Sequence, residues 1–307
     1  MARIHNPHDK IFKNVISDRD NAVSLLRNIL PEPVQKHLAL EEMQYEKDSY
    51  VPKHLQEYFS ELLTIVPMID RDQEAKIYFL FEHKSARDRR TPIQLLRYIL
   101  EIWDRYAKVA ESTGDKLPII IPVLITHAQY GWRAKRIIDL IDLPSEEFKA
   151  YIPDFDYILF DAIKEDPEEY NFNEAVRALL TIWRYSGSPD FIQTLHRVFR
   201  FVQQINPETK FKDFVIAIME YLSAVRSEDE YIDIQKVAET EFSGGEEFMG
   251  TIAEMFRREG REETEQRFIQ EKPRWIKEGK LEATQENLVD ISTEQYGPFP
   301  NVLYEKI

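Results

Sequence analysis

Residues Tyr58–Ser85 read YFSELLTIVPMIDRDQEAKIYFLFEHKS, two apolar runs on either side of a polar turn. Tyr58–Met68 and Lys76–Ser85 are rich in aromatic and aliphatic residues, as strands require. Asp70-Arg71-Asp72-Gln73 between them has turn chemistry. Each run carries charge where a buried strand would not: Glu61 in the first, Glu82 and Lys84 in the second. Desolvating an unpaired charge is expensive, so these residues call for a partner.

Strand geometry brings the three together. Side chains alternate between faces, so Glu82 and Lys84 point the same way, roughly 7 Å apart. A turn centred between Arg71 and Asp72 sets residue 61 opposite residue 82 on the same face, with Cβ atoms about 5 Å apart. A whole-residue slip of that centre preserves the parity and a half-residue slip breaks it. Two carboxylates this close repel unless a cation lies between them. Hard oxygen donors with room for water suit Mg²⁺ or Mn²⁺. A structural ion-pair network is the plainer reading, but two acids and one base leave it net negative.

Outward from the hairpin, Thr91 and Pro92 open a helix with the wide apolar face Leu95, Leu96, Ile99, Ile102, Trp103 and Tyr106, closed by Gly114. Leu117–Thr126 (LPIIIPVLIT) is a continuous aliphatic run, expected to be a strand covered on both faces. Strand, strand, helix, strand predicts an α/β domain with a mixed sheet. Phe155–Phe160 adds a candidate edge strand, and Leu38–Tyr45 a short one. Before the hairpin, residues 5–30 open with turn chemistry and continue as an amphipathic helix, with Asp18 or Asp20 as N-cap and Pro31 as its end. His8 and Asp9 read there as part of a local turn anchored by Phe12. After Glu165 the character changes, and Asn171–Tyr185, Asp190–Ile205 and Lys212–Val225 have helical periodicity. From Gly244 the chain is densely charged, and it reads as an exposed helical tail interrupted near Pro273. The expected organisation is an α/β domain over 1–164, a helical region over 165–243 and a charged tail over 244–307.

Composition sets bounds. The 307 residues, 43% of them hydrophobic, are enough for one sizeable core and a small second one. The chain has no cysteine, which excludes disulfides and thiolate metal or redox sites and fits a reducing cytoplasm. MARIHNPHDKIFK lacks the apolar core of a signal peptide, and no run of about 18 apolar residues suggests a membrane span. The net charge of −15 opposes non-specific nucleic-acid binding, so any such surface must be a local basic patch. Candidates are Arg87, Arg89 and Arg90 just past the second strand, and Arg133, Lys135 and Arg136 in HAQYGWRAKR. Loop solvation is the plain reading of each.

An acidic residue on one strand followed by Glu-x-Lys on the next resembles the PD-(D/E)XK nuclease superfamily. More closely, the chain resembles the YhgA-like putative transposase family of recombination-promoting nucleases. His8-Asp9-x-x-Phe12-Lys13 resembles that family's opening motif, and Phe81–Ser85 (FEHKS) its Glu-His-Lys-Ser or Glu-x-Gln-Ser segment. Pro92–Tyr98 resembles the following helix, Pro118–Trp132 the proline-flanked strand with its glycine-tryptophan loop, and Arg258–Gly260 the charged tail repeats. The likeness spans residues 5 to about 265. Glu61 departs from it, standing where the family has a metal-binding aspartate.

The resemblance implies a restriction-endonuclease-like core followed by a helical C-terminal region. It also implies Mg²⁺- or Mn²⁺-dependent hydrolysis of DNA phosphodiesters. Glu61 and Glu82 would hold the metal, and Lys84 would orient the attacking water. Gln94, Arg97 and the basic clusters would face the phosphate, with His8 and Asp9 as further candidates. The competing expectation, which the longer Glu61 favours, is a catalytically weakened regulator that binds DNA or a protein. A further expectation is a nuclease-fold effector whose helical C-terminal half docks a protein, with a homo-oligomer formed through the helical region or tail.

Overall fold

The protein is described by a computed structural model covering residues 6–45, 62–69, 76–86, 88–114, 116–128, 136–242 and 245–258, with side chains except at 62, 76–82 and 109–113. Its centre is a sheet of five strands in chain order: β1 (Gln44–Tyr45), β2 (Leu62–Pro67), β3 (Lys76–Lys84), β4 (Ile119–Thr126) and β5 (Ile158–Asp161). The first three strands are antiparallel neighbours, while β3, β4 and β5 run parallel. Parallel neighbours need a crossover, and helix α4 (Thr91–Thr113) supplies the one between β3 and β4. The protein is thus mixed α/β.

The β2–β3 ladder pairs Leu62 with Phe81 and continues to Pro67 with Lys76. This is the register of a turn centred between residues 71 and 72. Tyr58–Glu61 and Asp70–Gln73 lie outside the described residues. Helix α4 ends at Thr113, followed by Gly114 at φ +76, a conformation glycine adopts without the Cβ clash of other residues. Its Leu95 and Tyr98 pack with Leu63, Ile120, Phe155 and Tyr157, covering one face of the sheet. In β4, Val123, Leu124 and Ile125 are fully buried, whereas Ile119 is 57% exposed. The aliphatic run is therefore covered on both faces only in its second half.

The opposite face is closed by helices from both ends of the chain. The N-terminal segment differs from expectation, because Pro7–Ile16 forms a helix, α1, rather than a turn. Proline suits the first helical turn, and Ile11, Phe12, Val15 and Ile16 form a buried stripe. Asp18 caps α2 (Arg19–Ile29) by accepting from the Asp20 amide. A single turn, α3 (Glu32–Gln35), follows. Leu38–Tyr45 yields only two strand residues. Leu40–Glu42 is a 3₁₀ turn instead, which keeps the adjacent Glu41 and Glu42 exposed.

Four helices complete this layer: α5 (Glu174–Arg184), α6 (Phe191–Val202), α7 (Glu208–Val225) and α8 (Glu228–Glu241). Asn173 caps α5 by accepting from the Val176 amide, donates to Asn21 Oδ1 at 2.8 Å, and donates its own backbone amide to Ser24 Oγ at 2.8 Å. These bonds tie α5 to α2. Arg184 reaches back to the carbonyls of Ile163 and Glu165 at 3.0 and 2.8 Å. Ile4–Glu246 forms one compact unit spanning residue 164. The remainder falls in a second unit, described only for the helical residues 247–258. No helix among the described residues is long and apolar enough to cross a membrane.

Candidate active site

β3 ends by presenting neighbouring residues to different layers. Lys84 faces α4, where its Nζ donates to Gln94 Oε1 at 2.8 Å and Gln94 Nε2 donates to the Tyr98 hydroxyl. Pro92 starts α4 so that Gln94 falls in its first turn. The Lys84 backbone is also held: its carbonyl accepts from Thr126 Oγ1 at 2.8 Å and from the His127 amide at 3.3 Å. Thr126, the last residue of β4, is in register with Lys84, and His127 follows it directly. Two donors on one carbonyl and an amide on the ammonium leave this lysine little freedom.

His83 turns to the other face and enters an aromatic stack. Its ring lies 4.6 Å from that of Trp183 and 5.0 Å from that of His127, at angles of 28° and 17°. Phe12 of α1 stacks on it at 5.4 Å. His127 lies 4.7 Å from Trp183 and 4.6 Å from His8. Trp183 is completely buried. Within the stack runs a chain of polar contacts. An ionised carboxylate only accepts, so His83 Nδ1 donates to Asp9 Oδ1, at 2.8 Å. His83 Nε2 meets His127 Nδ1 at 3.0 Å, and His8 Nδ1 meets the Tyr221 hydroxyl at 3.0 Å.

Burial dominates the electrostatics. It pushes His127 down to about 2, reinforced by the charges of His83 and His8, so this ring is neutral at physiological pH. His8 is lowered in the same way, by burial and then by His83, against a smaller upward pull from Asp9. For Asp9, burial pushes upward. The His83 hydrogen bond and the charges of His83, Lys13 and Lys84 outweigh it and hold the carboxyl below its ordinary value. Asp9 thus feels both faces of the β3 terminus. Burial pushes the Tyr221 phenol up to about 12, keeping it a hydroxyl.

Among the expected site residues, Lys84 and Gln94 are in direct contact. Asp9 comes close enough to sense the Lys84 charge, and His8 joins the stack below, so neither belongs to a purely local turn. Arg89, Arg90 and Arg97 are exposed on and just before α4. Arg136 instead pairs with Asp154 at 2.6 Å and Asp156 at 3.4 Å, opening a short 3₁₀ turn (Ile137–Leu140). Glu61, Arg87, Arg133 and Lys135 lie outside the described residues, and Glu82 is described only in its backbone, paired with Leu124. Among the described residues no three His, Asp or Glu side chains are grouped to hold a metal. His83, His127, Trp183 and Tyr221 were not foreseen. The visible signals were a histidine inside an apolar strand, FEHKS, and another immediately after the aliphatic run, LPIIIPVLITH.

The described residues define a mixed α/β protein whose central parallel strands end in a clamped lysine above a buried histidine stack. The chain belongs to the YhgA-like putative transposase family, whose sequence model matches residues 6–212. It is 30% identical over 124 residues to the inactive recombination-promoting nuclease-like protein RpnE of Escherichia coli K12, covering 40% of each chain. It is 26% identical over 163 residues to the recombination-promoting nuclease RpnD of Escherichia coli O157:H7, covering 52% of this chain and 61% of the relative. A third relative, the recombination-promoting nuclease RpnA of Escherichia coli K12, is 26% identical over 121 residues, covering 39% of this chain and 40% of the relative. The chain therefore spans less than two thirds of each of these relatives. No solved structure matches it.

Proposed function

We propose that the protein is a metal-dependent DNA endonuclease with a restriction-endonuclease-like core, acting in recombination or on mobile elements. The carrying observation is the clamped Lys84, next but one to Glu82 on β3, with Gln94 bonded to its ammonium. The β2–β3 register adds support, because it is that of a turn centred between residues 71 and 72, the centre from which the convergence of the three charges is expected. The naming of RpnD and RpnA as recombination-promoting nucleases favours the same chemistry and DNA as substrate.

The donor set fits a hard cation, since Glu61 and Glu82 offer only carboxylate oxygens. These two residues would hold Mg²⁺ or Mn²⁺, which when bound lowers the pKa of a water and offsets phosphate charge. Lys84 would orient the attacking water and donate to the phosphoryl oxygens as charge builds on them. Gln94 fixes where that ammonium points. Arg89, Arg90 and Arg97 offer the duplex backbone a basic surface on an otherwise acidic protein.

A second reading, a weakened or inactive member acting as a DNA- or protein-binding regulator, is favoured by Glu61 and by the inactive relative RpnE. Glutamate is one methylene longer than the aspartate of the motif, and Mg²⁺ demands near-ideal octahedral geometry. Plasmid nicking with Mg²⁺ or Mn²⁺, comparing the natural chain with Lys84→Ala, separates the two. Cleavage by the natural chain alone supports the nuclease. Equal cleavage by both removes Lys84 from the mechanism, and no cleavage by either with any divalent ion supports the regulator.

A further inference from the structure

The buried chain beneath Lys84 has no part in the proposed chemistry, yet its geometry is specific. Asp9, His83 and His127 come from α1, β3 and the end of β4, and Asp9 and His83 are 74 residues apart in sequence. A stack of aromatic rings needs no carboxylate, and a buried histidine needs only one partner. Here each His83 nitrogen is engaged, Nδ1 with Asp9 and Nε2 with His127. His127 in turn reaches Lys84, because its backbone amide donates to the Lys84 carbonyl at 3.3 Å. Lys84 is thus flanked through its own chain by His83 and through its carbonyl by His127, and those two rings are bonded to each other.

We propose that Asp9 and His83 are positioning residues that fix the backbone of β3 at Lys84. The inference rests on the nuclease reading for its kinetic consequence but not for its structural one. The carboxylate sets the His83 ring by accepting from Nδ1. With Nδ1–H committed to Asp9, the ring is oriented so that its Nε2 meets His127 Nδ1, at 3.0 Å. The imidazole of His127 is thereby locked, and with it the peptide that meets the Lys84 carbonyl. Neither positioning residue touches the reacting atoms. Their influence runs through the rotamer and backbone of Lys84, whose ammonium must meet Gln94 on the other face.

The test compares Asp9→Asn, Asp9→Ala, His83→Gln and His83→Leu in the full chain. Asparagine keeps an oxygen that accepts from His83 Nδ1, whereas alanine does not. The first readout needs no catalysis. Protein labelled with ¹³C at lysine Cε gives a Lys84 resonance, assigned by its loss in Lys84→Arg. At one fixed pH, Asp9→Ala and His83→Leu are expected to move and broaden it, and Asp9→Asn to leave it near its natural position. The second readout is nicking under Mn²⁺. Asp9→Ala is expected to lower kcat about 10- to 100-fold, the usual cost of losing an orienting hydrogen bond, with KM within about twofold and most of kcat restored in Asp9→Asn. An unmoved Lys84 resonance in both Asp9→Ala and His83→Gln overturns the proposal. So does an Asp9→Asn protein as impaired as Asp9→Ala, which would place the carboxylate charge itself in the chemistry. A natural chain that cuts nothing defeats the nuclease reading and leaves the resonance test standing. Should His83→Leu fail to fold, the partly exposed Asp9 and the polar His83→Gln still decide the matter.

Discussion

Gln94 accepts a hydrogen bond from Lys84 Nζ at 2.8 Å, across the gap between the first turn of α4 and the last residue of β3. A neutral amide adds a hydrogen bond to the ammonium without adding an opposing charge. Gln94→Ala is expected to lower nicking by about 10-fold, in line with the loss of one orienting contact. Gln94→Glu, which would set a carboxylate against the ammonium, should lower it further. Initial rates on supercoiled plasmid check both, and a Gln94→Glu protein faster than the natural chain would contradict the role given to the lysine charge.

The basic residues divide by what they already touch. Arg136 is paired with Asp154 and Asp156, whereas Arg89 and Arg90 are exposed beside the start of α4. Each phosphate contact contributes about 0.9 to the slope of log affinity against log salt. Replacing Arg89 and Arg90 together by alanine should lower that slope by up to about 2, and Arg136→Ala should leave it nearly unchanged. Fluorescence anisotropy on a labelled duplex across a salt series measures the slopes.

His127 makes stability depend on pH. In the unfolded chain it takes up a proton near 6.5, but in the folded chain only near 2. Between those values the unfolded state binds more protons, so stability is full above 6.5 and falls as pH drops below it. The loss expected between pH 7 and pH 5 is about 2 kcal/mol from this residue. His8, also lowered, acts in the same direction. Urea unfolding at both pH values tests this, and His127→Gln should flatten the difference.

Trp183 is the hub of the stack, in ring contact with Phe12, His83 and His127 and without exposed surface. Trp183→Ala should cost about 3–5 kcal/mol, the usual loss for a large aromatic truncated in a core. Trp183→Phe should cost less, because a ring remains to stack on the histidines. Chemical denaturation at pH 7 compares them. A cost for Trp183→Ala below about 1 kcal/mol would mean that the layer is not held by this residue.

The sheet was legible because strand signals are local. The runs ending at Met68, Ser85 and Thr126 hold β2, β3 and β4, and the turn between the first two carried their pairing and its register. Ser227 and Glu230 form a reciprocal cap at the start of α8, whose signature in the sequence passed unread. The helix at Pro7–Ile16 was hidden by its short, polar opening, since its apolar stripe finds a purpose only against helices far along the chain. The histidine stack was out of reach for the same reason. Alternation says that His83 and Lys84 face opposite ways, but no local rule says that Asp9, His127 and Trp183 wait on the far side. Phe12, read as a local anchor, does anchor, but to a strand and to a tryptophan 171 residues away by their numbers in the chain.

His8 finds its hydroxyl partner 213 residues downstream, at Tyr221. During synthesis, therefore, the first helix leaves the ribosome long before its companions exist. A chain released early, before Trp183 and Tyr221, would carry Lys84 and its acidic neighbours over an unfinished floor. A chain built this way completes the layer beneath Lys84 only when the last helices of the unit are made.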